Sequence, residues 1–160
     1  MADPELPVAS DPVTASAAWR AAAPAALEGL TWIEESDLRI RVSVPAVRAD
    51  GGEDIYLARF DFTWYPTWPP SVTFLDPTTF APATEAWPVV NGISHIAFHP
   101  NYDGTPAGMV CNSMFFEFYF WGGHAKEGSH VWDGKRHNFA ASINVLRDAL
   151  KPPYYVDRPR

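Results

Sequence analysis

Cys111 is the only thiol in the chain, and the residues that precede it have types that could work with a nucleophile. His99-Pro100-Asn101-Tyr102 opens a glycine-containing stretch that ends in Gly108-Met109-Val110-Cys111. A cysteine thiolate attacks acyl carbon and, once acylated, leaves readily, so it suits acyl transfer. A nearby side-chain amide can donate a hydrogen bond to the oxyanion formed in such a step. A lone cysteine can also be a small buried hydrophobe or a metal ligand. A cysteine hydrolase would need an imidazole base within hydrogen-bond reach, for which His124, His130 and His137 are the candidates. Zinc would need three or four of His95, His99, His124, His130, His137 and Cys111. None of these forms a tight pair, and their spacing matches no standard site, so the histidines read as separately solvated or hydrogen-bonded and no metal is expected.

The elements that must position this stretch are legible from period and punctuation. Residues 1–12 carry acids, prolines and small residues and read as a flexible tail before a single domain over 13–160. Residues 14–23 have good helix composition after an Asp11 or Thr14 cap, and Pro24 is expected to end or kink that helix. From Trp32 to Val44 the period becomes two, giving a first strand, and Asp50-Gly51-Gly52 signals a turn. Residues 55–64 form a second strand with Tyr56, Ala58, Phe60 and Phe62 on one face, and residues 71–75 form a third. Between them Tyr65-Pro66-Thr67-Trp68-Pro69-Pro70 cannot continue a ladder, and a cis peptide is expected before Pro70. Residues 76–98 are punctuated by proline, with a short extended piece over 93–98. The run Phe115–Trp121 alternates poorly and reads as an element buried between the sheet and residues 122–136, or as an aromatic patch that grips a partner. A late helix spans 137–150, with Phe139, Ile143, Leu146 and Leu150 on one face, and Pro152-Pro153 stops it. The fold class is α+β.

Composition narrows the function classes. The 160 residues are 47% hydrophobic and 14% aromatic, with 16 prolines, which suits one globular domain with short strands and stiff loops. The net charge of −7, with Lys and Arg unclustered, argues against nucleic acid as a partner. There is no apolar run long enough for a membrane span, and the acidic start differs from a signal peptide, so a cytoplasmic location is expected. One cysteine excludes an internal disulfide.

Taken in order, the Tyr65–Pro70 turn, the strand ending at Phe74, His99-Pro100-Asn101, Gly108–Cys111, Trp132 and a helix stopped by two prolines resemble the ubiquitin-conjugating enzyme family. The resemblance covers residues 55–153. It implies an N-terminal helix, an antiparallel meander sheet, an active-site loop and a late helix, with the family's C-terminal helices missing. It implies a carrier that takes a ubiquitin-like modifier from an adenylating activating enzyme as a thioester on Cys111 and passes it to a lysine of a target protein, with no cofactor. By the same resemblance Asn101 is the oxyanion donor and His99 shapes the loop. Unperturbed lysine is only about 0.1% free amine near pH 7.4, so an acid that assists it is expected. Asp157 is the counterpart of the family's acid after the late helix, and Asp133 competes for that role. The sequence departs from the family in the long connection from Phe74 to His99, an expanded loop from Asn101 to Cys111, Asn112-Ser113 after the cysteine and a first helix with one basic residue. These departures suggest a divergent bacterial relative, of the kind found in antiphage conjugation operons, or a non-catalytic binding module on the same scaffold.

Overall fold

The computed structural model describes residues 5–92, 95–102, 108–124, 126 and 131–157. Helix α1, Pro12–Ala26, starts where the Asp11 carboxylate accepts hydrogen bonds from the Thr14 backbone N–H at 2.9 Å and the Thr14 hydroxyl at 2.8 Å. Pro12 occupies the first turn, where its missing N–H costs nothing. The helix does not end at Pro24 but runs on to Ala26. A proline this near the terminus removes one hydrogen bond, and Leu27 N–H closes the last turn on Ala23 O at 2.8 Å. Ala15, Trp19, Ala22, Ala23 and Ala26 form its buried face. In the stretch before α1, Trp64 Nε1 donates to Pro7 O at 3.0 Å and Ser10 N–H to Thr63 O at 2.9 Å.

A four-stranded antiparallel meander follows: β1 Thr31–Ser36, β2 Arg39–Val47, β3 Glu53–Asp61 and β4 Ser71–Leu75, in that spatial order. The single strand expected over 32–44 is therefore two, divided at Asp37-Leu38. The turn there carries no glycine or proline. A register irregularity between Glu34 and Ser36 and a bond from Leu38 N–H to Ser36 Oγ at 3.3 Å make it instead. β3 also ends earlier than expected, at Asp61, because the Asp61 carboxylate accepts Thr63 N–H at 2.9 Å and turns the chain.

Inward-facing Ile40, Val42, Val44, Tyr56, Ala58, Phe60, Val72 and Phe74 are all buried. They meet α1 and the late helix α3, Phe139–Ala149, which Asn138 caps by accepting Ala140 N–H at 2.9 Å. Trp19 stacks on Phe62 with centroids 5.2 Å apart, and Phe139 stands edge-on to Phe60 and Phe62 at 5.0 Å. Burying a side chain of this size contributes about 1.5–3 kcal/mol, so this aromatic cluster anchors both helices.

The proline turn is tied to the start of α3. The Phe139 N–H donates to the Tyr65 hydroxyl at 3.0 Å, and Trp132 Nε1 donates to Pro66 O at 2.9 Å. Among the described residues the cis peptides are Tyr65–Pro66 and Pro152–Pro153, not the bond before Pro70. The Phe115–Trp121 run contains a short helix, α2 Phe116–Phe120, that sits on β4 and the strand carrying Cys111. Phe115, Phe116 and Tyr119 are buried, and Phe116 stacks on Trp64 at 4.0 Å. No helix among the described residues is long and apolar enough to cross a membrane.

Candidate functional site

Cys111 ends a three-residue strand, β7 Met109–Cys111, that pairs antiparallel with β6 Ala97–His99. In this register Ala97 lies opposite Cys111 and His99 opposite Met109, so the cysteine and the His99-Pro100-Asn101 triad belong to one hairpin. Ile93 and Ser94, within the extended piece expected over 93–98, lie outside the described residues, as do residues 103–107 of the loop that joins the strands. Gly108, which opens β7, has φ of +82°, and a Cβ there would meet Trp87 Cζ2 at 2.4 Å and His99 O at 2.9 Å. Only glycine fits a left-handed residue so closely covered by an indole and a carbonyl.

Trp87 comes from the long connection between β4 and β6, a proline-rich strap with a 3-10 turn over Thr84–Ala86 and a two-residue strand, β5 Val89–Val90. Its indole is buried, edge-on to Phe74 at 4.9 Å and to Phe98 at 6.2 Å. The strap thus pins the hairpin to the core. It also supplies the partner of Asn101: Thr84 Oγ1 donates to Asn101 Oδ1 at 3.1 Å, which leaves the amide N–H groups of the exposed Asn101 as the donors on offer. Sequence reasoning had no signal for Thr84, whose role exists only through a contact between distant segments.

The Cys111 thiol is half-buried, and that burial pushes its pKa up. Desolvation disfavours the thiolate, so the free cysteine is held mostly as thiol at neutral pH. The chain just beyond it is fixed by side chains. Asn112 Oδ1 accepts Met114 N–H at 2.9 Å, and Asn112 Nδ2 donates to His95 O at 3.2 Å. Tyr119 donates its hydroxyl proton to Ser113 O at 2.8 Å and accepts Trp132 N–H at 2.7 Å. Asn112 therefore locks the exit from the hairpin.

The other candidates sit in separate surroundings. The His99 ring lies edge-on to Tyr102 at 5.5 Å, and its backbone is part of the β6–β7 ladder. Asp157 is on β8, Tyr155–Asp157, which pairs with β5. Its carboxylate lies 3.7 Å from the Arg48 guanidinium, beside a buried chain in which Tyr155 donates to Asp54 at 2.6 Å and shares a 2.6 Å hydrogen bond with Tyr56. Asp133 accepts Lys135 N–H at 2.9 Å and pairs with Arg136 at 3.2 Å, contacts that hold its carboxyl below the usual range. The hairpin therefore carries His99, Asn101 and Cys111, with Ala97 opposite the cysteine and Asn101 four residues further along the chain, whereas Asp157 and Asp133 are each engaged by a cation elsewhere.

His95 packs edge-on to Tyr154, His124 stacks on Phe118 at 4.0 Å, and His137 Nδ1 accepts Asp133 N–H at 3.0 Å. His130 lies outside the described residues. Among the described residues no imidazole hydrogen-bonds the Cys111 thiol, and no three His, Cys, Asp or Glu side chains gather into a metal-holding group. Compared with protein-family models, with curated proteins and with solved structures, the chain matches none.

Proposed function

We propose that this chain is a ubiquitin-conjugating-enzyme-like carrier that holds a ubiquitin-like modifier as a thioester on Cys111. The observation that carries this reading is the β6–β7 hairpin, which puts a half-exposed cysteine and a tethered Asn101 amide on one small element braced by Trp87. The order of elements supports the finer fold assignment: one helix, a meander, a tyrosine-proline turn bonded to a tryptophan before the late helix, and the cysteine between them.

The chemistry runs in two exchanges. The Cys111 thiolate adds to the carbonyl carbon of the modifier's thioester on an activating enzyme. Collapse of that tetrahedral adduct expels the activating enzyme's thiolate and leaves the modifier on Cys111. A neutral lysine amine of the target then adds to the new thioester, and the carbonyl oxygen gains the charge. The Asn101 amide N–H stabilises this oxyanion by hydrogen bonding, an interaction that strengthens only as charge develops. Collapse expels Cys111 thiolate, which takes up a proton, and an isopeptide bond remains. The raised pKa of the free thiol makes it a poor nucleophile at rest, while the acylated sulfur carries no charge and is untouched by that penalty.

Incubation with an activating enzyme, ATP and a cognate ubiquitin-like modifier should give an adduct that thiol reductants cleave. Cys111→Ser should give a reductant-resistant ester or no adduct. Absence of any Cys111-dependent adduct with that modifier would remove the enzymatic reading. The burial that raises the Cys111 pKa also favours a second reading, a non-catalytic module of the same fold. In that case Cys111→Ala would leave biological activity intact.

A further inference from the structure

The outer face of the sheet holds a feature that the thioester chemistry does not use. Alternate residues of β2, β3 and β4 point away from the helices, and α2 lies along the β4 edge, with Phe116 N–H donating to Pro70 O at 3.1 Å. Between α2 and that face lies a cleft of about 400 Å³ to which Glu117, Ser71, Asp61 and Trp121 contribute. Glu117 is only 7% exposed. Its Oε1 accepts the Ser71 hydroxyl, but its Oε2 is buried and has no hydrogen-bond partner.

A buried carboxylate oxygen left without a donor costs several kcal/mol when ionised, so it selects for a ligand that brings a donor. Two guanidiniums also reach the cleft, yet each has its own carboxylate. Arg39 Nε sits 2.8 Å from Asp61, and Arg59 holds Glu35 through two bonds of 2.7 and 2.8 Å. The group left unsatisfied is therefore an acceptor. An anionic ligand would face Asp61 and Glu117 together. Leu6, Val72, Pro82 and Trp121 give apolar walls beside the carboxyl, suited to an alkyl stem. The face of the Trp121 indole would add cation–π attraction to a cationic group on that stem. Cys111 does not line the cleft.

We propose that this cleft binds a primary ammonium on a short alkyl stem, the class of lysine side chains and simple alkylamines, with Glu117 as its counter-ion. The inference is independent of the thioester reading. Its pH behaviour follows from the groups that face Glu117. β2 brings Arg39, and β3 brings Arg59 and Asp61. β4 brings the hydroxyls of Ser71 and Thr73 and the Val72 backbone N–H, which with the Ser71 hydroxyl and Glu117's own N–H works against the effect of burial, and the N-terminal segment brings Leu6. Burial, with Asp61 adding to it, pushes the Glu117 carboxyl up to about 7. Below that pH it is neutral and cannot balance an ammonium. Apparent affinity should then fall by up to about tenfold per pH unit below about 7 and level off above it, until the amine loses its own proton near pH 10.

The test uses n-butylamine added to the whole ¹⁵N-labelled chain at constant ionic strength, from about pH 5 to about pH 9, with the Ser71, Val72 and Glu117 amides and the Trp121 indole as reporters. The expected result is saturable, millimolar binding at these resonances that weakens about fivefold between pH 7 and pH 6, and at least tenfold weaker binding to Glu117→Gln. Butanol and butyrate, which match the stem but not the charge, should not saturate the same resonances. A flat pH profile, equal binding of butanol, or no saturable shift would overturn the proposal. Because those results come from the wild-type chain, they decide the matter even if Glu117→Gln fails to fold.

Discussion

Gly108→Ala tests the physical basis of the hairpin, because the structure separates its cost into two parts. The first is conformational: at φ of +82° a Cβ costs about 1 kcal/mol relative to glycine. The second is steric. The new methyl would sit 2.4 Å from Trp87 Cζ2 and 2.9 Å from His99 O, neither of which is the free end of a flexible side chain. Overpacking of this kind costs about 1–3 kcal/mol, because the buried indole must shift against Phe74 and Phe98. The sum is about 2–4 kcal/mol. With a urea m-value of about 2 kcal/mol/M for a domain of this size, the midpoint should fall by about 1–2 M. Gly29→Ala is the matched control, since Gly29 has φ of +75° and nothing within 4 Å of its would-be Cβ, so it should lose only the conformational part. Equal midpoint shifts for the two variants would refute the claim that Trp87 and the His99 carbonyl close over Gly108.

Other outcomes follow from the same contacts. Trp87→Ala should cost about 3–5 kcal/mol by urea unfolding, because it empties the site between Phe74 and Phe98. Tyr155→Phe should cost about 1–3 kcal/mol, since it leaves Asp54 and Tyr56 without the two 2.6 Å bonds that tie β8 to β3. Alkylation of Cys111 by iodoacetamide should accelerate about tenfold per pH unit throughout the neutral range, without levelling off below the ordinary cysteine pKa, because burial raises the thiol. Glu117 holds its proton more tightly folded, at about 7, than unfolded, near 4.5, so its contribution to stability is complete below about pH 4.5 and is lost as pH rises to about 7. In amine-free buffer the wild type should lose up to about 3 kcal/mol relative to Glu117→Gln across that window, and parallel stability profiles would show that Glu117 ionises freely.

Much of the scaffold was legible because its signals are local. Tyr56, Ala58, Phe60 and Phe62 share a parity that burial alone imposes, and Phe139, Ile143, Leu146 and Leu150 recur at the helical period. The break between β1 and β2 was not legible, since a side-chain hydroxyl and a register irregularity make that turn in place of glycine or proline. Nor was the helical state of Phe116–Phe120, because an almost wholly aromatic run fits either period and packing decides. At the site, closeness along the chain linked His99-Pro100-Asn101 to Cys111, but the stretch from His99 to Asn112 read as loop, and the pairing of Ala97–His99 with Met109–Cys111, the tether from Thr84, the Trp87 brace and the Arg48 partner of Asp157 arise from contacts between separate segments. Glu117 did carry a faint mark, as the one acid within Phe115–Trp121, a position where burial was already expected.

Single-turnover kinetics of the preloaded chain give the most direct test of the Cys111–Asn101 pair. The modifier is first loaded onto Cys111, the activating enzyme is then quenched, and both loading and release to free lysine are timed for the wild type and for Asn101→Ala. Loss of one oxyanion donor should slow release by about 10²–10³ while loading proceeds at an unchanged rate. Equal release from the two proteins, or no thioester on Cys111 to release, would contradict the assignment.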